Sequence, residues 1–130
     1  MFNAGFYLEQ LEPSFASAVA NWLVPWCDYY GLVVSVADDG GFRSLAEQDR
    51  LYRLGRSPYE YQSRIKKRGT AGSVTDAPPG YSAHNYGLAL DLDGLNAAQA
   101  VEIARQLGFG TVSWDPLHIE HPNWRAMAGV

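Results

Sequence analysis

One ten-residue stretch, from Ser82 to Asp91, holds a histidine and an aspartate in an arrangement that could bind a metal ion. The alternation of leucine with alanine and aspartate over residues 88–93 predicts a β-strand, with the leucines on one face and Asp91 on the other. His84 stands just before that strand, where a loop can fold its ring back. An imidazole and a carboxylate are both zinc ligands, so this pair predicts part of a zinc site that needs a third ligand.

The third ligand is predicted from a second histidine-containing segment late in the chain. His118 follows Asp115 by three positions, and side chains three apart on a plain strand point to opposite faces. Pro116 favours a turn over residues 115–117, ahead of a short strand at 118–120. Such a turn could aim both side chains at one point, which predicts that they share a site.

Together these residues fill the roles that a catalytic zinc site requires. Such a site typically has three protein ligands and keeps one position for water, and a free carboxylate beside that water can act as general base. His84, Asp91 and His118 are the predicted ligands. Asp115 is the predicted base.

Two of these assignments have a competitor in the same segment. His121 competes with His118 as the third ligand, but on a strand it takes the opposite face, and only His118 has an aspartate three residues before it. Glu120 competes with Asp115 as the base. Glu120 shares a face with His118 and could instead hydrogen-bond a ligand imidazole and orient it.

The motif S-x-H-x-x-G-x-A-x-D, followed by a late D-x-x-H, resembles the zinc D-alanyl-D-alanine carboxypeptidase and L-alanyl-D-glutamate endopeptidase family. That family includes VanY-type carboxypeptidases and many phage endolysins. The resemblance covers roughly residues 30–122. Gly41 to Arg56 is similar to the segment that supplies the family's substrate-binding arginine, and Val74 to Ser82 is similar to the run that leads into the first zinc histidine.

The resemblance implies a Zn²⁺-dependent peptidase that cleaves the peptide stem of bacterial peptidoglycan. The L-alanyl-D-glutamate bond is the expected target and a phage or prophage endolysin the expected setting. The alternatives are a D-alanyl-D-alanine carboxypeptidase and a non-catalytic, zinc-containing cell-wall-binding module. Arg43 is expected to contact a substrate carboxylate or the oxyanion, unless it is an ordinary surface cation. Ser82 is expected to contact substrate or to serve only as a turn residue.

Composition limits the remaining possibilities. A chain of 130 residues with 47% hydrophobic and 18% charged residues suits one folded domain, so we expect a single catalytic domain over 1–130 without a separate cell-wall-binding domain. The net charge of −4 gives no basic field for nucleic acid. The amino-terminal residues lack the pattern of a signal peptide, and no apolar run is long enough to cross a membrane. We therefore expect a monomer made in the cytoplasm and released to the cell wall by a holin-type route.

Hydrophobic periodicity and turn residues predict an α+β domain, with helices packed on a small, mostly antiparallel sheet. The resemblance implies the same class, of the hedgehog and DD-peptidase type. Trp22 and Trp26 are predicted to lie in the core, on one face of the first helix. The predicted elements are a helix at 14–30, a strand at 32–37, a helix at 44–54 capped by Ser44, a strand at 87–93, a helix at 96–107 capped by Asn96, and strands at 109–114 and 118–120.

Residues 56–83 are predicted to form a long loop with one short helix at 59–67. Four of its cations fall within five residues: Arg64, Lys66, Lys67 and Arg68. They predict a mobile, basic rim over residues 56–72 that recruits the carboxylates of the substrate, and the plainer alternative is a solvated insertion.

Overall fold

The computed structural model describes residues 1–67, 70 and 72–130, and its centre is a five-stranded sheet. The strands, in chain order, are β1 (Phe2–Asn3), β2 (Val34–Val36), β3 (Ala89–Asp93), β4 (Gly110–Val112) and β5 (Asp115–Glu120). Their order across the sheet is β1-β2-β3-β5-β4. The β1–β2 pair is parallel and the other three pairs are antiparallel, which confirms the predicted α+β class.

Six α-helices surround the sheet in the described part of the chain. They are α1 (Pro13–Ala18), α2 (Val24–Tyr29), α3 (Leu45–Arg53), α4 (Pro58–Gln62), α5 (Ala97–Gln106) and α6 (Trp124–Ala128). Short 3₁₀ turns at Gly5–Gln10 and Ala83–Tyr86 complete the elements. Among the described residues, none of these helices combines the length and the apolar character that a membrane span needs.

The first helical segment is continuous from α1 to α2, because a π-helical turn, Val19–Leu23, joins them ahead of Pro25. Four residues make slightly more than one turn of an α-helix, so side chains at every fourth position move gradually around its surface. The π turn has more residues per turn, and it brings these side chains back onto one face. The buried residues of this segment are Phe15, Val19, Leu23 and Cys27. The prediction that Trp22 and Trp26 lie in the core is therefore wrong: they are 60% and 43% exposed.

The core lies between this helical segment, α5 and one face of the sheet. Leu90 and Leu92 of β3 are buried there, and Ile119 of β5 pairs with Leu90. Because side chains alternate along a strand, Asp91 projects from the opposite face. The predicted division between leucines and aspartate is thus confirmed, and it sets apart a polar face of the sheet.

Local signals of helix starts succeeded at one site and failed at another. Ser44 caps α3 as predicted, since its hydroxyl accepts a hydrogen bond from the Glu47 amide at 3.0 Å. Asn96 was expected to cap α5 in the same way, but no side-chain cap forms. Its Oδ1 accepts instead from the Val33 amide at 2.8 Å, which ties the start of α5 to the strand region 63 residues earlier.

The segment predicted as a long loop is anchored by Arg56. The guanidinium of Arg56 donates to the carbonyls of Tyr52, Ile65 and Thr75 and to the Asp76 carboxylate at 2.7 Å, and its side chain is 0% exposed. Arg56 therefore does not belong to an exposed basic rim, and the predicted helix at 59–67 ends at residue 62.

Lys67 and Lys66 of the predicted rim have different surroundings. Lys67 pairs with Glu60 at 2.8 Å, which leaves it less available to a ligand, whereas Lys66 is exposed. Arg68 lies outside the described residues.

Candidate metal centre

The register of two central strands places two of the predicted ligands directly opposite each other. Asp91 of β3 pairs with His118 of β5, so both side chains rise from the polar face. Asp91 Oδ1 lies 2.9 Å from His118 Nδ1. The pairing depends on the antiparallel register, which the leucine positions of β3 enforce, since a one-residue slip would bury Asp91 in the core.

His84 reaches the same point from the 3₁₀ turn Ala83–Tyr86. Ser82 caps this turn by accepting a hydrogen bond from the His84 amide at 3.3 Å. Gly87 ends the turn with φ +68°, and a Cβ there would stand 2.7 Å from the Glu12 amide nitrogen, so the chain needs glycine to enter β3. The His84 ring thereby points back over the strand, with Nε2 at 3.3 Å from Asp91 Oδ2.

The second ring nitrogen of each histidine is occupied. His84 Nδ1 lies 2.9 Å from the Gly41 carbonyl, which can only accept, so Nδ1 carries the proton and Nε2 is free for a metal. His118 Nε2 lies 2.7 Å from Glu120 Oε1, which leaves His118 Nδ1 facing Asp91. Gly110 of β4 makes room for Glu120, because a Cβ at Gly110 would stand 3.0 Å from Glu120 Cγ.

The ligand atoms of His84, Asp91 and His118 all lie within 4.8 Å of one another. Two imidazoles and one carboxylate suit zinc, and each histidine has the oriented tautomer that ligand histidines usually show. The competing residue His121 is not in this cluster. Its Nδ1 accepts from the Asn123 amide at 3.0 Å, and its ring lies 6.4 Å from that of Phe15 on the core side of the sheet.

A turn over residues 37–43, which we call the 37–43 turn, supports this cluster from behind. Its backbone brackets Asp91: the Ala37 amide donates to the Asp91 carbonyl at 2.9 Å, and the Asp91 amide donates to the Gly40 carbonyl at 2.8 Å. The Arg43 amide donates to the His84 carbonyl at 3.0 Å. Two of the three predicted ligands are therefore fixed by the main chain of one turn.

Arg43 extends from this turn to the edge of the cluster. Its Nη2 lies 3.5 Å from Asp91 Oδ2, and its Nη1 donates to Gln48 Oε1 at 3.1 Å. Gln48 is fully buried and donates in turn to the Ala77 carbonyl at 2.7 Å. Among the described residues, the buried Nε of Arg43 makes no hydrogen bond, but it lies 3.8 Å from Asp39 Oδ2, and Nη2 also donates to the Asp39 carbonyl at 3.1 Å. The sequence motif marked Arg43 but gave no role to Gln48.

Asp115 lies at the first residue of β5, half-buried, three positions before His118. The predicted turn over 115–117 is wrong: the chain reverses at Ser113 and Trp114, and β5 is continuous from Asp115. The register of β4 against β5 shifts at this point, because Val112 pairs with Asp115 while Thr111 pairs with Ile119. A bulge of this kind removes the strict rule that side chains three apart take opposite faces.

Burial and hydrogen bonding oppose each other in the electrostatics of the cluster. Burial on its own would raise the pKa of Asp91, but hydrogen bonds to His118 and His84 hold that pKa well below its usual value. Burial would lower the pKa of His118, but Asp91 and Glu120 raise it to about 9. In the metal-free protein His118 is thus a cation at neutral pH, and a metal ion would take the place of its proton.

Comparisons with known proteins give a family and a curated relative. The family model described as "VanY: D-alanyl-D-alanine carboxypeptidase" matches residues 9–114. The peptidoglycan L-alanyl-D-glutamate endopeptidase CwlK of Bacillus subtilis (strain 168) is 38% identical over 82 residues. That match takes in 63% of this chain and 36% of CwlK, so the chain spans about a third of the length of this curated relative.

Two solved structures share the fold. VanYB in complex with D-alanine-D-alanine superposes with a TM-score of 0.60 at 20% identity, over 92% of this chain and 75% of that one. The E175A mutant of the vancomycin resistance D,D-pentapeptidase VanY, in complex with Zn(II), gives a TM-score of 0.58 at 19% identity, over 92% and 79% of the two chains. At such identities the likeness describes the fold alone.

Proposed function

This chain belongs to the VanY family of D-alanyl-D-alanine carboxypeptidases, and from that premise we propose that it is a zinc-dependent peptidase acting on the peptide stem of bacterial peptidoglycan. The single observation that carries the proposal is the cluster of His84, Asp91 and His118, whose ligand atoms lie within 4.8 Å of one another. Zinc in the VanY mutant structure and the peptidoglycan substrate of CwlK support it.

The residues of the cluster have separate tasks in this mechanism. His84, Asp91 and His118 would hold Zn²⁺, which lowers the pKa of a coordinated water towards about 7 and polarises a carbonyl. Asp115 accepts the proton of the attacking water and later delivers it to the leaving amine. Arg43, whose Nη2 lies 3.5 Å from Asp91 Oδ2 at the edge of the cluster, stabilises the negative charge that develops on the scissile carbonyl oxygen or binds a substrate carboxylate. Ser82 already caps the turn that holds His84, which favours a supporting role.

Within this class we propose the L-alanyl-D-glutamate bond as the target, because CwlK, at 38% identity, is an endopeptidase of that specificity. D-alanyl-D-alanine carboxypeptidase activity is the second candidate, favoured by the description of the matching family. We further propose a phage or prophage setting, with synthesis in the cytoplasm and release to the wall by another factor. Nothing in the fold depends on this setting.

Digestion of purified peptidoglycan, with the new termini identified by mass spectrometry, separates the candidates. A new free amine on glutamate indicates the endopeptidase, and released D-alanine indicates the carboxypeptidase. His84→Ala is the matched inactive control, and chelation followed by restoration of zinc tests the metal. No product from the zinc-loaded protein would contradict both enzymatic candidates and leave a binding module.

A further inference from the structure

Four aromatic side chains are exposed together on the outer side of the first helical segment. Trp22, Trp26, Tyr29 and Tyr30, which we call the aromatic face, are 60%, 43%, 76% and 61% exposed. Trp26 is stacked on Tyr30 with ring centroids 6.1 Å apart, and Tyr29 meets both rings edge-on at 5.8 and 5.1 Å. A contiguous exposed apolar group can mark a binding site, whereas singly scattered apolar residues are ordinary.

The aromatic face forms a concave surface with an unusual lining. A cavity of about 590 Å³ lies there, lined by Asn21, Trp22, Pro25, Trp26, Tyr29 and Tyr30. This volume is in the range of small-molecule sites. The lining has no charged residue and, apart from Pro25, no aliphatic one, so its polar groups are indole N–H, phenol and amide groups.

These features select among possible occupants. An anionic membrane or a nucleic acid needs cations at its binding surface, and the aromatic face has none. The stem peptide carries carboxylates, and the lining of the aromatic face offers them no cation. A stable protein interface needs about 20–30 residues on each side, many more than the six that line this cavity.

A neutral sugar chain matches the aromatic face in both charge and shape. The flat C–H face of a sugar ring stacks on an indole or phenol ring, and its hydroxyl and acetamido groups bond to the polar edges. The glycan strand of peptidoglycan consists of such N-acetylated, uncharged rings. We propose that the aromatic face is a second, non-catalytic site that binds the glycan strand; the identity of the polymer rests on the proposed function.

The location of the aromatic face fits this role. Phe15, Val19 and Leu23 pack the helical segment against the leucine face of the sheet, while Asp91 and His118 rise from the opposite face. A glycan strand bound at the aromatic face therefore does not cover the cluster of His84, Asp91 and His118. Binding there would hold the protein on the wall, so that stems of neighbouring strands meet the cluster at a raised effective concentration.

Calorimetric titration with a hexamer of N-acetylglucosamine tests the proposal without any peptide bond. We expect the zinc-loaded wild type to bind, and the double variant Trp22→Ala/Trp26→Ala to bind at least about tenfold more weakly, as when central aromatic contacts are truncated. Tyr59→Ala, which removes an aromatic residue that is 74% exposed elsewhere, should bind like the wild type. If the double variant has a lower Tm than the wild type, Tyr29→Ala is tested in its place.

The outcomes separate this proposal from the peptidase proposal. His84→Ala should bind the hexamer like the wild type, and loss of peptidase activity alone would leave the glycan site standing. The glycan site is overturned if the wild type does not bind the hexamer. It is also overturned if the double variant and Tyr29→Ala both bind the hexamer as tightly as the wild type. A dimer in sedimentation that the double variant abolishes, or binding to anionic vesicles in place of the hexamer, overturns it in favour of those partners.

Discussion

Glu120 decides which nitrogen of His118 faces the metal cluster. Glu120 Oε1 accepts a hydrogen bond from His118 Nε2 at 2.7 Å. The open space above Gly110 lets the Glu120 side chain lie there. A carboxylate behind a ligand histidine fixes the ring and raises its basicity as a ligand. Glu120 would therefore act on a bound metal through His118, which is the orienting role considered for it from the sequence.

We expect Glu120→Ala to bind zinc about 10–100-fold more weakly than the wild type, because His118 loses its orienting partner. Glu120→Gln keeps an acceptor for Nε2–H and should lose less. Competition with a chromophoric chelator measures both affinities, and Glu102→Ala, an exposed position on α5, is the control. Wild-type affinity in Glu120→Ala would show that the hydrogen bond has no part in zinc binding.

Asp115 and His84 are predicted to fail in different ways when replaced. Asp115→Ala should retain zinc and lose about 10²–10⁴-fold in turnover of peptidoglycan, because a general base contributes that much and is not a ligand. His84→Ala should lose both metal and activity. Metal analysis and turnover on the same preparations distinguish the two. If Asp115→Ala turns over at the wild-type rate, the base is a different group and Glu120 becomes the candidate.

The metal-free protein should lose stability as the solution becomes alkaline. The pKa of His118 is raised to about 9 in the folded state, above its value of about 6.5 in the unfolded chain. This contribution is fully present below about pH 6.5 and is lost as the pH rises through about 9. Urea unfolding of chelator-treated protein at pH 6 and pH 9.5 measures it, with His118→Gln as control. Equal stability of the wild type at both values would contradict the assigned charge of His118.

Among the elements, the segment between α3 and β3 depends on one buried arginine. Arg56 packs over the Tyr52 ring at 4.0 Å and pairs with Asp76, whereas Arg53, one turn earlier, packs over Tyr61 at 4.1 Å on the surface. The two arginines have similar contacts and opposite exposure: the Arg56 side chain is 0% exposed and that of Arg53 59%.

We expect Arg56→Ala to lower the free energy of unfolding by about 3–5 kcal/mol, because Asp76 loses its buried ion pair and three carbonyls lose the donor that Arg56 supplies. Arg53→Ala should change it little, since a solvated pair contributes little. Equilibrium urea unfolding of the two variants is the measurement. Similar effects of the two substitutions would mean that burial of Arg56 does not determine how this segment is held.

The elements also show where pattern-based prediction stops. Periodicity located the helical segment and β3, because these depend on residues three, four or two positions apart. It placed Trp22 and Trp26 in the core wrongly, because a π turn changes the helical repeat and the sequence pattern did not indicate that turn. It missed β1 and α6 as well, and it gave Asn96 a local capping role, because the partner of Asn96 is 63 residues away.

At the scale of the whole molecule, the three predicted ligands come from three separate elements: a 3₁₀ turn, β3 and β5. The motif predicted their identities because His84 and Asp91 are local to one another. The sequence could not predict the arrangement of Arg43, Gln48 and the Ala77 carbonyl, which depends on how distant segments pack. A metal bound to the cluster would tie these elements together and stabilise the fold as a unit.

Zinc should therefore protect the entire domain against unfolding. At a free zinc concentration one hundred times Kd, we expect a gain of about 2.7 kcal/mol. Thermal unfolding with zinc and with a chelator measures the gain, and His84→Ala should show none of it. A wild-type Tm that does not respond to zinc would contradict a metal site formed by the folded state.

The 37–43 turn has a consequence for how this protein can vary. It holds Asp91 and His84 through main-chain groups, so the side chains at exposed positions such as Asp38 and Phe42 are not what the ligands depend on. A Cβ at Gly40 would stand 2.7 Å from the Ala37 carbonyl oxygen, so the backbone of the turn is closely packed at this point. Relatives and designed variants should thus accept many substitutions at the exposed positions, whereas one inserted or deleted residue would move both ligands at once. The length of this turn, more than its composition, is the inherited constraint.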